Sequence, residues 1–167
     1  VYVDDFIIAC NDTQALQDFK DYLHKCFRMK DLGKLKYFLG LEVARSNSGF
    51  YLSQRKYALD IIAETGLLAS KPSPVPMELN HKLAKAEGPL ANAQQYRRLV
   101  GRLIYLTNTR PDLAYSVHIL AQFMQKPLLP HWDAAIRVLR YLKGSPGQGI
   151  YFKADDQLRI SAFCDAE

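Results

Sequence analysis

An α+β fold, β-rich at its start and helical later, is predicted by three observations. Short β-branched and aromatic runs bounded by turn residues fill positions 1–53. Apolar residues recur at the helical period over 94–143. Hydrophobic residues make up 49% of the 167, enough to build a core.

The elements follow in order. Residues 1–3 and 6–9 read as two strands joined by Asp4 and Asp5, a tight β-hairpin. "NDT" supplies an N-cap, and Leu16, Phe19, Leu23, Cys26 and Phe27 recur at helical spacing, predicting a helix over about 13–29 packed on that hairpin's sheet. Gly33 ends this segment. "LKYFLGLEVARS" reads as one strand, "NSG" as a turn and "FYLSQ" as the return strand. Tyr57, Ile61 and Ile62 begin a further helix, which Gly66 closes. Residues 70–92 hold four prolines and no sustained period, and read as a connector extended over the surface. Three helices are predicted next, over about 94–108, 111–125 and 131–143, the second opened by Pro111. "GIYFKA" and "LRISAFC" read as two closing strands.

Charge is distributed unevenly. Residues 1–53 carry 7 basic and 7 acidic side chains, 54–110 carry 9 and 4, 111–153 carry 5 and 2, and 154–167 carry 1 and 4. A basic middle suits a polyanion partner or an ordinary solvated surface. In the first of the three late helices Tyr96, Leu99, Val100, Leu103 and Thr107 share a face, with Arg98 and Arg102 opposite. In the last, Ala135, Val138, Leu139 and Leu142 share a face, and Arg137, Arg140 and Lys143 form a stripe across the other. These stripes are either solvated or phosphate-contacting. Cys10, Cys26 and Cys164 lack metal or disulfide-framework spacing, which favours a reducing compartment. No run approaches the ~18 apolar residues of a membrane span, and no signal peptide is present. His24, His81, His118 and His131 form neither a metal set nor a triad, and Trp132 reads as an anchor for the last helix. The chain reads as a piece of a longer polypeptide.

Asp4 and Asp5 admit two readings. Aspartate tolerates turn geometry, so the pair can be a turn and nothing more. Adjacent anions repel, however, unless a cation or solvent screens them. Such oxygen pairs suit Mg²⁺, which binds through one or two carboxylates together with substrate phosphates.

The motifs together carry a resemblance. "YVDD" at a hairpin tip, then a helix and a hairpin containing "YFLG", resembles the palm of a reverse transcriptase. "YRRLVGRLIYLTNTRPDLAYSVHILAQFMQKP" followed by "HWDAAIRVLRYLKGSPGQGIYF" resembles the copia-type retrotransposon polyprotein, "SKPSPVPME" its proline-containing link, and "SAFCDA" the start of its ribonuclease H domain. The resemblance covers essentially the whole chain. It implies a distal palm with two hairpins over 1–53, a thumb start over 54–69, a linker over 70–93, a helical thumb and connection over 94–146, and the first strands of a ribonuclease H-like sheet over 147–167.

It also implies roles. Asp4 and Asp5 would be the catalytic, metal-binding carboxylates, and Asp165 the first metal ligand of ribonuclease H. Tyr2 would lie beside the primer end. Phe38, Leu39 and Gly40 would form the primer grip. Arg98, Arg102, Arg137, Arg140 and Lys143 would follow the nucleic acid. The implied activity is template-directed DNA synthesis with two Mg²⁺ ions, or Mn²⁺ in their place. The implied partners are an RNA or DNA template-primer duplex, dNTP and the remaining polyprotein segments, with no membrane. The implied location is intracellular, in a cytoplasmic particle or the nucleus. A further catalytic aspartate would lie upstream of Val1, and "DAE" stands where the family has "DADWA". The fragment is therefore expected to be inactive alone. The alternatives are a non-enzymatic module, either degenerate or retained for nucleic-acid binding, and a metal-dependent nuclease using Asp165.

Overall fold

The computed structural model describes residues 5–154. The chain divides into two compact units, Val1–Phe38 and Leu39–Glu167.

The first unit is built around helix α1, Thr13–Cys26. Asp12 caps it as "NDT" predicts: its Oδ1 accepts from the backbone N–H groups of Gln14 at 2.8 Å and Ala15 at 3.1 Å. Gln14 donates to Asp18 and Gln17 to Asp21, each at 2.9 Å and one turn on. Lys20 pairs with Asp31 at 2.8 Å, and Asp31 also accepts from the Gly33 N–H. The predicted apolar face does not form a core. Of the helix's residues only Leu23 is buried, while Phe19 and the following Phe27 stay exposed. The strand expected over 6–9 is absent, and residues 6–10 have no regular structure. An extended run becomes a strand only when its amides find a ladder, and the expected partner, 1–3, lies outside the described residues. The unit closes with the short strand β1, Tyr37–Phe38.

The single strand expected over 35–46 is broken. A turn at Leu39–Gly40 separates β1 from β2, Leu41–Ser46, because both turn residues adopt positive φ. Strand β3, Gly49–Ser53, returns antiparallel to β2, with Ser46 opposite Gly49, matching the predicted second hairpin. Helix α2, Arg55–Glu64, follows, and its first turn is held by Glu42, which accepts from the Lys56 N–H at 2.8 Å. Gly66, at φ 71°, ends the segment as expected.

Three helices complete the core: α3, Ala93–Leu106; α4, Ala114–Ala121; and α5, Leu129–Gly144. Asn92 caps α3 by accepting from Gln94 and Gln95. Helix α4 is shorter than predicted. Pro111 opens a 3₁₀ turn before it, and the chain leaves the helix after Ala121 so that Phe123 stacks on His131 at 3.9 Å. Helix α3 packs on α4, and α5 on α2 and α4. The core holds Ile61 and Ile62; Tyr96, Leu99, Val100, Leu103 and Leu106; Leu113, Val117 and Leu120; and Ala135, Val138, Leu139 and Leu142. The α5 face is the predicted one. On α3, Leu106 is buried in place of Thr107, which is the C-cap. Each fully buried aliphatic side chain contributes ~1.5–3 kcal/mol.

Connector 70–92 is less peripheral than its composition suggests. Met77 and Leu83 are buried in the core. His131 is 3% exposed; its Nδ1 accepts from the Leu128 N–H at 2.9 Å, which leaves Nε2 to donate to the Leu83 carbonyl at 3.1 Å.

Strand β4, Gly149–Lys153, pairs antiparallel with β3. The other closing strand the sequence predicts, "LRISAFC", lies outside the described residues. A Cβ at Gly149 would stand 2.0 Å from the Leu52 carbonyl oxygen, so only glycine admits this approach.

Candidate nucleic-acid interface

Of the predicted carboxylates, Asp5 is exposed, and Asp4 and Asp165 lie outside the described residues, as does Tyr2. Among the described residues no group of three or more His, Cys, Asp or Glu could hold a metal ion. Asp5, an exposed hard-oxygen donor, fits a Mg²⁺ ligand chemically.

The Leu39–Gly40 turn has an unusual backbone. Leu39 has φ 49° and Gly40 φ 82°, and Leu39 is the only non-glycine residue with positive φ among the described residues. This conformation costs a leucine ~1–2 kcal/mol. Tyr105 on α3 donates its phenolic hydrogen to the Leu39 carbonyl. The Tyr105 ring meets Tyr57 of α2 edge-on, centroids 5.4 Å apart. Arg102 lies 5.2 Å over the Tyr57 ring.

The predicted cations are all engaged within the protein. Arg98 and Arg102 both reach Glu64 of α2, at 3.3 and 2.5 Å. Arg137 pairs with Glu78. Arg140 donates to the Lys71 carbonyl at 2.8 Å, and Lys143 to the carbonyls of Leu68 and Ser70. The α5 stripe thus holds down the connector, whose prolines supply few donors of their own. Arg98 stays the most open of the ion-paired arginines among the described residues, its side chain 74% exposed.

A buried polar network escaped the sequence reading. Arg110, 1% exposed, donates to both oxygens of Asp112, at 2.9 and 2.7 Å, and to the Ser145 carbonyl at 2.8 Å. Tyr141 donates to Asp112 at 3.0 Å. Beside it, Thr109 donates to the Oε1 of buried Gln54 at 2.8 Å, and the Gln54 Nε2 has no hydrogen-bond partner among the described residues. "TRPD" carried the signal: a charged pair spaced i,i+2 across a proline, between two apolar helices. This network ties the start of α4 to the end of α5. Burial pushes the Asp112 carboxyl up, but the hydrogen bond and charge of Arg110, with Tyr141, outweigh it and hold the group below the usual carboxylate range.

A family model described as reverse transcriptase (RNA-dependent DNA polymerase) matches residues 1–79. The chain is 45% identical over 168 residues to the retrovirus-related Pol polyprotein from transposon RE2 of Arabidopsis thaliana, covering 100% of this chain and 12% of that protein. It is 44% identical over 168 residues to the corresponding polyprotein from transposon RE1 of the same plant, again with 100% and 12% covered. An uncharacterized mitochondrial protein of Arabidopsis thaliana is 40% identical over 169 residues, with 100% of this chain and 70% of that protein covered. The chain therefore spans about 12% of the length of the transposon polyproteins it matches. No solved structure matches it.

Proposed function

The chain belongs to the reverse transcriptases of copia-type transposon polyproteins, and from that premise we propose that it supplies the distal palm and the thumb and connection of a DNA polymerase that copies RNA or DNA. The observation that carries the proposal is the 45% identity to a Pol polyprotein over the whole chain. Asp4 and Asp5 would hold Mg²⁺, which when bound activates the primer hydroxyl and stabilises the leaving phosphate. Phe38, Leu39 and Gly40 hold the primer terminus, with Tyr2 beside it. Arg98 contacts phosphate, and Arg102, Arg137, Arg140 and Lys143 shape the surface around it. Residues 147–167 begin the ribonuclease H segment, with Asp165 as its first ligand. The rest of the polyprotein supplies the remaining parts.

The first test is binding. A primed duplex titrated with this chain, followed by fluorescence anisotropy, is expected to bind weakly, without sequence preference, and with affinity falling linearly in log salt. Arg98→Gln should reduce that slope by about one unit. Absence of binding at low salt would remove the proposal. The second test is primer extension. The chain alone is expected to incorporate no nucleotide with Mg²⁺ or Mn²⁺, since the family's upstream aspartate is not among its residues. Extension abolished by Asp4→Asn would overturn that expectation.

A second reading, a nucleic-acid-binding module without polymerisation, is favoured by one observation. A segment 40% identical to this chain makes up 70% of a separate mitochondrial protein. Binding without extension after addition of the upstream polyprotein segment would select it.

A further inference from the structure

The Leu39–Gly40 turn has the backbone of a two-residue hairpin turn in which both central residues are left-handed. Asn-Gly or Gly-Gly adopts that geometry readily, whereas leucine does not. Something outside the turn must therefore hold it. One side chain, Tyr105, meets the turn in two ways, and a third contact fixes its ring. The Tyr105 hydroxyl donates to the Leu39 carbonyl. The Tyr105 Cε1 lies 3.7 Å from where a Gly40 side chain would begin, so the ring backs the turn. The ring is itself fixed edge-on against Tyr57, which lies under the Arg102 guanidinium that Glu64 holds. The side chain that meets the turn thus comes from α3, with a ring of α2 behind it, far along the sequence.

We infer that Tyr105 is a positioning residue that locks Leu39 and Gly40 in the left-handed turn, and that this lock sets the discrimination of a recessed primer 3′ end. The second half rests on the reading of residues 38–40 as the primer-holding turn. Leucine at a position that favours glycine or asparagine is explained when its side chain is needed and its backbone is held by a partner.

The test compares the chain with its Tyr105→Phe, Leu39→Gly and double variants. The first readout, amide hydrogen exchange at Gly40 and Leu41, needs no nucleic acid. Loss of the hydroxyl should speed exchange about tenfold with leucine at position 39. With glycine there the same change should have little effect, because glycine takes positive φ without restraint. Equal acceleration in both backgrounds would mean that the hydroxyl acts as general packing, and would overturn the lock. The second readout is the ratio of affinities for a recessed-3′ duplex and a blunt duplex of equal length. Tyr105→Phe should lower that ratio several-fold while leaving affinity for the blunt duplex unchanged. An unchanged ratio in a chain that discriminates would overturn the positioning role. If the unmodified chain does not discriminate, the primer-end half of the inference falls with the primer reading, and the exchange result alone decides the lock.

Discussion

Asp112 stands where three elements meet. It accepts two hydrogen bonds from the buried Arg110 guanidinium and one from Tyr141, while its own side chain stays 26% exposed. Its carboxyl is held below the usual range, so the ionised form stabilises the fold. That contribution is complete above the ordinary aspartate value of ~3.9 and is lost as pH falls through the depressed folded value. Tyr141 shifts the other way: burial first, then the Asp112 hydrogen bond, push its phenol up. Asp112→Ala should cost about 3 kcal/mol in urea unfolding at neutral pH, because it leaves a buried guanidinium without its anion. Asp112→Asn should flatten the acid limb of stability against pH below ~4. A variant as acid-sensitive as the parent would show that another carboxylate carries that limb.

Helix α5 uses its two faces differently. One buries Ala135, Val138, Leu139 and Leu142. The other presents cations to the carbonyls and the carboxylate of residues 68–78. The Ser73 N–H in turn donates to the Arg140 carbonyl at 3.1 Å. Each such bond contributes a net ~0.5–1.5 kcal/mol. Replacing Arg137, Arg140 and Lys143 together by Gln should therefore cost about 2 kcal/mol. It should also speed limited proteolysis within residues 70–80. If the salt slope of duplex binding stays unchanged in that variant while proteolysis rises, these three cations serve the fold and Arg98 carries the phosphate contact. A lower slope with unaltered proteolysis would reverse the assignment.

At the scale of the whole molecule, the two units differ in how much they bury. Among the described residues of Val1–Phe38, Leu23 is the only buried hydrophobic, at 9% exposure. The second unit encloses a continuous core drawn from four helices and the connector. Amide protection follows such burial. Hydrogen exchange should be slowest in α3 and α5, intermediate in β3, and fastest in α1, where capping and side-chain pairs alone oppose fraying. Protection of α1 equal to that of α5 would mean that the first unit is as stable as the second.

Local chemistry sufficed for much of this protein. The cap at Asp12, the hairpin at Asn47–Ser48, the buried face of α5 and all but the last position of the α3 face follow from residue type and period, because each depends on neighbours within a few positions. The family was legible too, since long motifs in order survive changes that single contacts do not. What the tertiary structure decided are the partners. The left-handed Leu39 presents its carbonyl to Tyr105, which is brought from α3. The cations of α5 face a connector whose path no helical period encodes. The Arg110–Asp112 pair becomes a buried junction only when α5 closes over it. β4 finds β3 because glycine lets two backbones approach. Sequence spacing specifies which face a side chain occupies; which group waits opposite it is set by contacts between residues distant along the chain.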